Sequence, residues 1–365
     1  MRRLIYEGSV KNLYQAKDGE LEFEYTDAYS VFDWGRMPDE LRGKGKALAA
    51  MGCAFFERLG DPKAWKGLKL PEELEDEYSR DLKDLQEHGL RTHYLGPTED
   101  LGFRVQAVSV EPPEQVKVGS GGASRLLYYY GAPRAPERLI PLEVVFRWGM
   151  PAGSSLKERL TPSYVKELGL DGLPREGDRF KRPVIELFTK LEHTDRFLTW
   201  EQALNYSRLQ PLQFKRMLAR TEILAFWLRD FFTARGLELW DGKFEWALSR
   251  ERLVLVDSIG PDELRLVEPE SAMPFSKEFL RLHYRGTPWY EDLREAKRRA
   301  QERGEAQWKP IVMRELSGAP KALPLSTKKV AEDLYQGLVA AVCGDKAPDF
   351  TELGKRMSEC LAPKR

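Results

Sequence analysis

The chain has only three cysteines in 365 residues, Cys53, Cys343 and Cys360, far apart and without CxxC spacing. Such usage excludes a disulfide framework and a cysteine-based zinc site, so the thiols read as structural. Histidine is almost as scarce, and His88, His93, His193 and His283 form no Ser-His-Asp or Cys-His arrangement that would mark a dedicated nucleophile. They read as surface or packing residues, with His193 set apart because it stands between Lys190 and Asp195. Charge of one sign is missing too, since 58 basic and 58 acidic residues cancel. That balance argues against a whole-domain nucleic-acid or membrane surface and leaves phosphate recognition to local clusters. No apolar run reaches the length of a membrane span, the greasiest being Ile223 to Leu228, and the N-terminal stretch lacks a signal-peptide core. A cytoplasmic protein is expected. Internal repeats, a low-complexity tail and the GxxxxGK[ST] spacing of a P-loop are all absent.

What remains is an ordinary globular composition, 42% hydrophobic and 32% charged. The length predicts two lobes, 1–110 and 111–365, or one large α+β unit with additions. Residues 2 to 32 alternate apolar and polar around Gly8 and Asp18-Gly19, which predicts hairpins. Lys44 to Leu59 has the spacing of an amphipathic helix. Residues 60 to 90 look like a charged insertion with a helix at Leu74 to His88, and 111 to 137 like a second insertion rich in Pro, Gly and Tyr. Leu139 to Arg147 reads as a strand. Thr199 to Arg235 predicts two helices, the second from Phe214 to Arg235, and further helices are expected at Ser276–Arg285, Pro288–Arg303 and Ser326–Val342. Antiparallel hairpins followed by segregated helices indicate an α+β fold.

Three constellations carry chemistry. In Leu237 to Trp246, strand alternation puts Asp241, Lys243 and Glu245 on one face and Trp240, Phe244 and Trp246 on the other. A turn near Arg250-Glu251 would bring Asp257 of the returning strand opposite Glu245. Two carboxylates beside a lysine suit Mg²⁺ on nucleotide phosphates, because that ion takes one or two protein oxygens and completes its shell with water and phosphate. The plain alternative is a solvated strand face with cross-strand ion pairs. In the second, a strand delivers Arg147 to a glycine loop, and Ser155-x-x-Glu158 resembles a capping box opening a helix. Backbone N–H groups there, with Ser154, Lys157 and Arg147, would seat a phosphate monoester. Otherwise Ser155 is only a helix cap and Arg147 only an ion pair. The third is Ile5 to Tyr14, a glycine turn at Gly8 that is either a flap placing Lys11 on a phosphate or an ordinary β-turn.

Taken in order, the three resemble the phosphoribosylaminoimidazole-succinocarboxamide synthase (SAICAR synthetase) family. An apolar-Pro-apolar-Glu run ending in Arg and followed by Ala-Gly-Ser is matched by Leu139 to Ser154, Asp-x-Lys-apolar-Glu-Phe-Gly by Asp241 to Ala247, and Asp-Glu-x-x-Pro-Asp-x-x-Arg by Asp257 to Arg265. Shorter echoes lie at Tyr6–Tyr14, Ser30–Asp33 with Gly43-Lys44-Gly45, Phe188–Lys190 with Asp195, Phe275–Arg281, and Leu323 to Gly344. Four departures stand out. One extra residue follows Arg147, Trp246-Ala247 replaces Phe-Gly, Ser258 replaces a glutamate, and Ser9 stands where many members carry a lysine.

The resemblance implies an α+β architecture with two lobes, antiparallel sheets and an ATP cleft between them, residues 1–110 forming the nucleotide-binding lobe. It implies a cytoplasmic ligase of purine biosynthesis that uses ATP and Mg²⁺ to join L-aspartate to carboxyaminoimidazole ribonucleotide (CAIR). Arg147, Ser154 and Arg265 would seat the ribonucleotide phosphate and Asp262 would contact the imidazole. Glu245 and Asp257 would hold the metal, while Gly8, Lys11 and Lys243 would approach ATP. Lys190 and Asp195 would line the same cleft and form the catalytic set with Lys243. Asp33 and Lys44, with the backbone amides of the Ser30 to Gly45 segment, would border aspartate. The partners implied are small-molecule substrates, with no nucleic acid, no membrane, and a homo-oligomer left open. A paralogous ligase or kinase for another phosphorylated acid, and a non-catalytic nucleotide-binding protein, are the alternatives.

Overall fold

The structure is a computed structural model describing residues 2–16, 19–99, 102–119, 125–303, 305, 307–344 and 348–362. Asp18 of the anticipated Asp18-Gly19 turn, and residues 120–124 of the second insertion, lie outside the described residues. The alternating N-terminal stretch forms β1 (Arg3–Glu7), β2 (Lys11–Gln15) and β3 (Glu20–Tyr25). After α1 (Lys44–Gly60) and α2 (Glu72–His88), β4 (Tyr94–Pro97) and β5 (Gly102–Gln106) complete an antiparallel sheet in the order β1-β2-β3-β5-β4. Gly8 closes the β1–β2 turn because a Cβ there would stand 2.3 Å from the Lys11 carbonyl oxygen. Its N–H donates to that same oxygen at 3.1 Å.

The second insertion is more regular than its composition predicts. Glu114–Val118 (β6) and Arg125–Tyr129 (β7) pair as an antiparallel hairpin. Beyond it lies the larger sheet, built from β8 (Arg138–Gly149), β9 (Arg179–Thr189), β10 (Phe197–Leu198), β11 (Glu238–Ser249), β12 (Arg252–Val256), β13 (Leu264–Glu268) and β14 (Met273–Pro274). Its order is β10-β9-β8-β11-β13-β14, with β12 also paired to β11. The helices are α3 (Pro162–Glu167), α4 (Trp200–Ser207), α5 (Pro211–Thr233), α6 (Glu278–Arg285), α7 (Pro288–Arg303), α8 (Lys309–Glu315), α9 (Leu325–Cys343) and α10 (Thr351–Leu361). Helix α5 begins a turn earlier than Phe214 because Pro211 fits the first helical position, where no N–H donor is needed. No helix among the described residues is long and apolar enough to cross a membrane.

The two sheets meet through the segment that follows α2. Arg91 and His93 exchange backbone hydrogen bonds with Leu255 of β12 at 2.9 and 3.0 Å. One apolar core runs from Tyr25 and Phe103 under the first sheet to Phe146, Phe244 and Trp246 under the second, with α5 and α9 inside it. Helix α1 packs along α9 as well as on the first sheet. Strand β11 departs from simple alternation at two bulges. The register shifts between Leu239 and Asp241 against β13, so Leu239 takes the core position and Trp240 lies outside the core, its ring under the Arg179 guanidinium at 4.3 Å. Trp246 and Phe244 keep their predicted inward place.

Candidate active site

The polar face of β11 gathers one cluster of opposed charges. Lys243 places Nζ 2.6 Å from Glu245, 3.2 Å from Glu143 and 3.6 Å from Asp257. Glu143 arrives because it pairs directly with Glu245 across β8 and β11. Lys190, just past the end of β9, reaches Glu245 at 2.8 Å and Glu143 at 2.9 Å. Lys11 of the flap closes the group by an ion pair with Asp257, its ammonium 4.1 Å over the Phe23 ring. Three ammoniums therefore meet three carboxylates. Burial alone would raise the Asp257 carboxyl, but Lys11, Lys243 and Lys190 hold it well below the usual carboxylate range. Burial likewise opposes the charge on Lys243, and Glu245, Asp257 and Glu143 raise its pKa in spite of that.

Asp257 reaches this cluster by a route the alternation does not predict. Val256, not Asp257, pairs with Glu245. In a continuing strand Asp257 would point to the other face; instead it sits one residue past β12 with φ of +68°, a conformation aspartate tolerates better than most residues, and the left-handed step turns its carboxylate back. The turn at Arg250-Glu251 is where the sequence places it, with both residues at positive φ as a two-residue hairpin of this twist requires.

Behind Asp257 lies a cavity of about 240 Å³ lined by Val10, Lys11, Tyr25, Ser258, Asp262 and Glu263 among others. Ser258 donates its hydroxyl to Glu263 at 3.0 Å. Burial, with Asp257 and Asp262 nearby, pushes the Glu263 carboxyl up to about 7. Sequence reasoning missed Glu263; the one available signal was the serine at 258, which invites a search for a carboxylate placed elsewhere. Asp262 is held by Lys44 at 3.0 Å and by the Tyr335 hydroxyl of α9 at 2.7 Å. Burial opposes its charge, yet Lys44 and Lys277 bring its carboxyl down to about 2.

This arrangement corrects the expectation for Lys44 and its flanking amides. Lys44 is fully buried, with its ammonium committed to Asp262. The N–H groups of Gly43 and Gly45 donate to the Asp27 carboxylate at 3.0 and 2.9 Å. Orphan donors at a helix start attract an anion, and here the chain supplies its own. Asp33 is 85% exposed in its side chain and pairs with Lys297 of α7 at 3.4 Å. Asp195 lies on an exposed stretch; partial desolvation and the negative charge of Glu143 push its carboxyl up to about 7. His193 is exposed and its backbone N–H donates to the Tyr128 hydroxyl, whereas His93 is buried, bonded to the Asp257 carbonyl, and lowered to about 4 by burial.

The other end of the same β11 face is an arginine seat. Asp241 pairs across the strands with Arg147 and Arg265, accepting a hydrogen bond from the Arg147 guanidinium at 3.4 Å and forming an ion pair with that of Arg265 at 3.4 Å. Arg147 also binds Glu186 at 2.5 Å and Ser155 at 3.3 Å. Arg159, which sequence reasoning passed over although it lies in the same motif, grips Glu186 with two nitrogens at 2.8 and 2.9 Å. From α6, Arg281 and Arg285 share Glu278, and the Arg285 guanidinium comes within 3.6 Å of where a Cβ on Gly153 would be. The predicted capping box is displaced by one residue. Ser154 is the cap, accepting from Leu156 N–H at 3.4 Å, and Ser155–Glu158 is one 3-10 turn rather than a helix.

Among the described residues no group of three or more His, Cys, Asp or Glu could hold a metal ion. A hydrated Mg²⁺ needs only one or two carboxylates. Glu245 and Asp257, joined through Lys243, suit that demand, with Glu263 bordering the same cavity.

Comparison with known proteins finds relatives over nearly the whole chain. The profile of the SAICAR synthetase family matches residues 4–75 and 135–296. A putative phosphoribosylaminoimidazole-succinocarboxamide synthase of Archaeoglobus fulgidus is 32% identical, aligning 97% of this chain with 99% of that protein. The enzyme of that name from Thermoplasma acidophilum is 28% identical over 94% of this chain and 99% of its own. Among solved structures, a SAICAR synthetase in complex with ADP superposes with a TM-score of 0.53 at 22% identity, covering 87% of this chain and 99% of that one. At this identity the superposition speaks for the fold.

Proposed function

Because the chain belongs to the SAICAR synthetase family, we propose that the lysine cluster and the arginine seat are the two ends of one ligase site. The enzyme is an ATP-dependent ligase that joins aspartate to CAIR, giving SAICAR, ADP and phosphate in purine biosynthesis. One observation carries the assignment of its parts. A single face of β11 holds Asp241 among the arginines and, two residues on, Lys243 and Glu245 among the lysines. Two residues of strand span about 7 Å, close to the distance between one end of a small phosphorylated ring compound and its middle.

The ribonucleotide phosphate is assigned to Arg147, Ser154, Arg159 and Arg265, where guanidiniums already balanced by Asp241 and Glu186 form a rigid fork. Its carboxylate then faces Lys243. ATP enters beneath the flap, and its phosphates take over Lys11, Lys190 and Lys243 from Glu143, Glu245 and Asp257. Mg²⁺ held by Glu245 and Asp257 would neutralise charge on the γ-phosphoryl group as it passes to the substrate carboxylate. The acyl phosphate so formed must meet the amine before water does, which makes positioning and exclusion of water the protein's main contribution. Asp195, with its raised carboxyl, is the group assigned to take the proton from the attacking amine. A cytoplasmic location and a division into lobes at about residue 110 belong to the same proposal.

ADP formation with CAIR present and each amino acid supplied in turn tests this reading. Aspartate is expected to support turnover far better than asparagine or alanine. Comparable turnover with an amino acid lacking a side-chain carboxylate would replace it with a paralogous ligase.

A further inference from the structure

Position 9 carries a serine where the family pattern often has a flap lysine, and the structure brings a different cation to that spot. Gly35 sits at φ of +91°, and the place its missing Cβ would fill lies 3.3 Å from Nζ of Lys309 and 3.6 Å from Oγ of Ser9. Lys309 is the first residue of α8, beyond residue 296 where the family match ends. Its ammonium is half-buried, lies 5.7 Å from the Trp34 ring centroid, and has no carboxylate partner among the described residues. Its neighbours differ. Lys297 pairs with Asp33, and Arg299 and Arg303 pair with Glu315. A half-buried ammonium beside an aromatic ring and without a carboxylate partner among the described residues gains little, since a cation–π contact at a partly exposed site contributes about 0.5–1 kcal/mol. A nearby anion would gain more.

We propose that Lys309 binds the terminal phosphate of the nucleotide, supplying from α8 the cation that Ser9 does not provide. The proposal rests on the ligase reading above. Lys11 and Ser9 belong to the same four-residue turn, so an anion beneath that turn is met by Lys11 from the Asp257 side and by Lys309 from the Gly35 side. Glycine at 35 leaves the room this requires. The carboxylates of the amino-acid substrate are a second source of anionic oxygen near the same loop, and the test separates the two.

Lys309→Met in the full-length enzyme is expected to weaken ATP, by KM and by calorimetric binding, roughly ten- to a hundredfold. Binding of AMP, which lacks the terminal phosphates, and the KM for aspartate should change little. Adding Ser9→Lys to Lys309→Met should restore most of the ATP affinity, which a merely structural lysine would not allow. Lys309→Gln serves as a second variant if the methionine lowers the melting temperature. A rise confined to the aspartate KM, an equal loss for ATP and AMP, or no rescue by Ser9→Lys would overturn the proposal. The ligase reading fails separately if the wild-type protein binds ATP but forms no SAICAR, because the binding arm still reads out.

Discussion

Asp257 joins the flap to the larger sheet through its ion pairs with Lys11 and Lys243, and its left-handed backbone decides which substitution isolates that role. Asparagine tolerates positive φ nearly as well as aspartate, so Asp257→Asn removes charge with little strain. Ligation is expected to be lost and Mg-ATP binding weakened, and near wild-type turnover would refute the assignment. The variant should also change acid stability. A carboxyl whose folded pKa lies below its unfolded value of about 3.9 stabilises the fold above that pH, and the contribution is lost as pH falls through the folded value. Asp257→Asn should therefore show a shallower loss of stability below about pH 4 in acid titrations followed by circular dichroism. Asp195 has the opposite sign. Its carboxyl, raised to about 7, is protonated below that pH, so kcat/KM should rise through about pH 7. Asp195→Asn should flatten that limb; its persistence would move the assignment to Glu263, which titrates in the same range. Residue types were legible in the sequence, since period-two spacing placed Lys243 and Glu245 correctly. The orientation of Asp257, the displaced cap at Ser154 and the capture of Lys44 by Asp262 were not, because each depends on one backbone step or on a partner far away in the chain.

At the level of elements, the long helices were legible because their apolar residues recur every three or four positions. Strand β9 was not, since Lys181, Arg182 and Pro183 break its alternation before the apolar run from Val184 begins. The insertion at 60–90 is anchored on α5 rather than hanging free. The Tyr78 hydroxyl and the Arg182 guanidinium both bind Glu222, Arg220 holds Asp81 and Asp84, and the Trp227 indole donates to the Ala64 carbonyl. Glu222→Ala strands a buried hydroxyl and half of an ion pair. It should lower unfolding free energy by about 1–3 kcal/mol in urea titrations while leaving the KM for ATP unchanged. A matching loss of ATP affinity would mean that the insertion acts on the cleft as well as on the core.

The whole molecule closes its site from both sheets, with Lys11 arriving from one and Lys243 and Lys190 from the other. A nucleotide bound between them should resist unfolding of both together. At a hundred times its Kd, ATP with Mg²⁺ should add about 2.7 kcal/mol to stability, visible as a rise in Tm. A Tm indifferent to ATP would place the nucleotide elsewhere. That the sheets would meet through Leu255 and the segment 91–93 had no signature in either stretch, because such a contact pairs residues more than 150 positions apart and only the finished packing selects it. The docking of α1 on α9, with Tyr335 reaching back to Asp262, sets an order on biosynthesis. As the chain leaves the ribosome, the first sheet and α1 emerge with an apolar helix face that has no cover until α9 follows, after the whole of the larger sheet. Until then the nascent protein must shelter that face from its neighbours, so slow translation or a premature stop before α9 should raise its demand for chaperones.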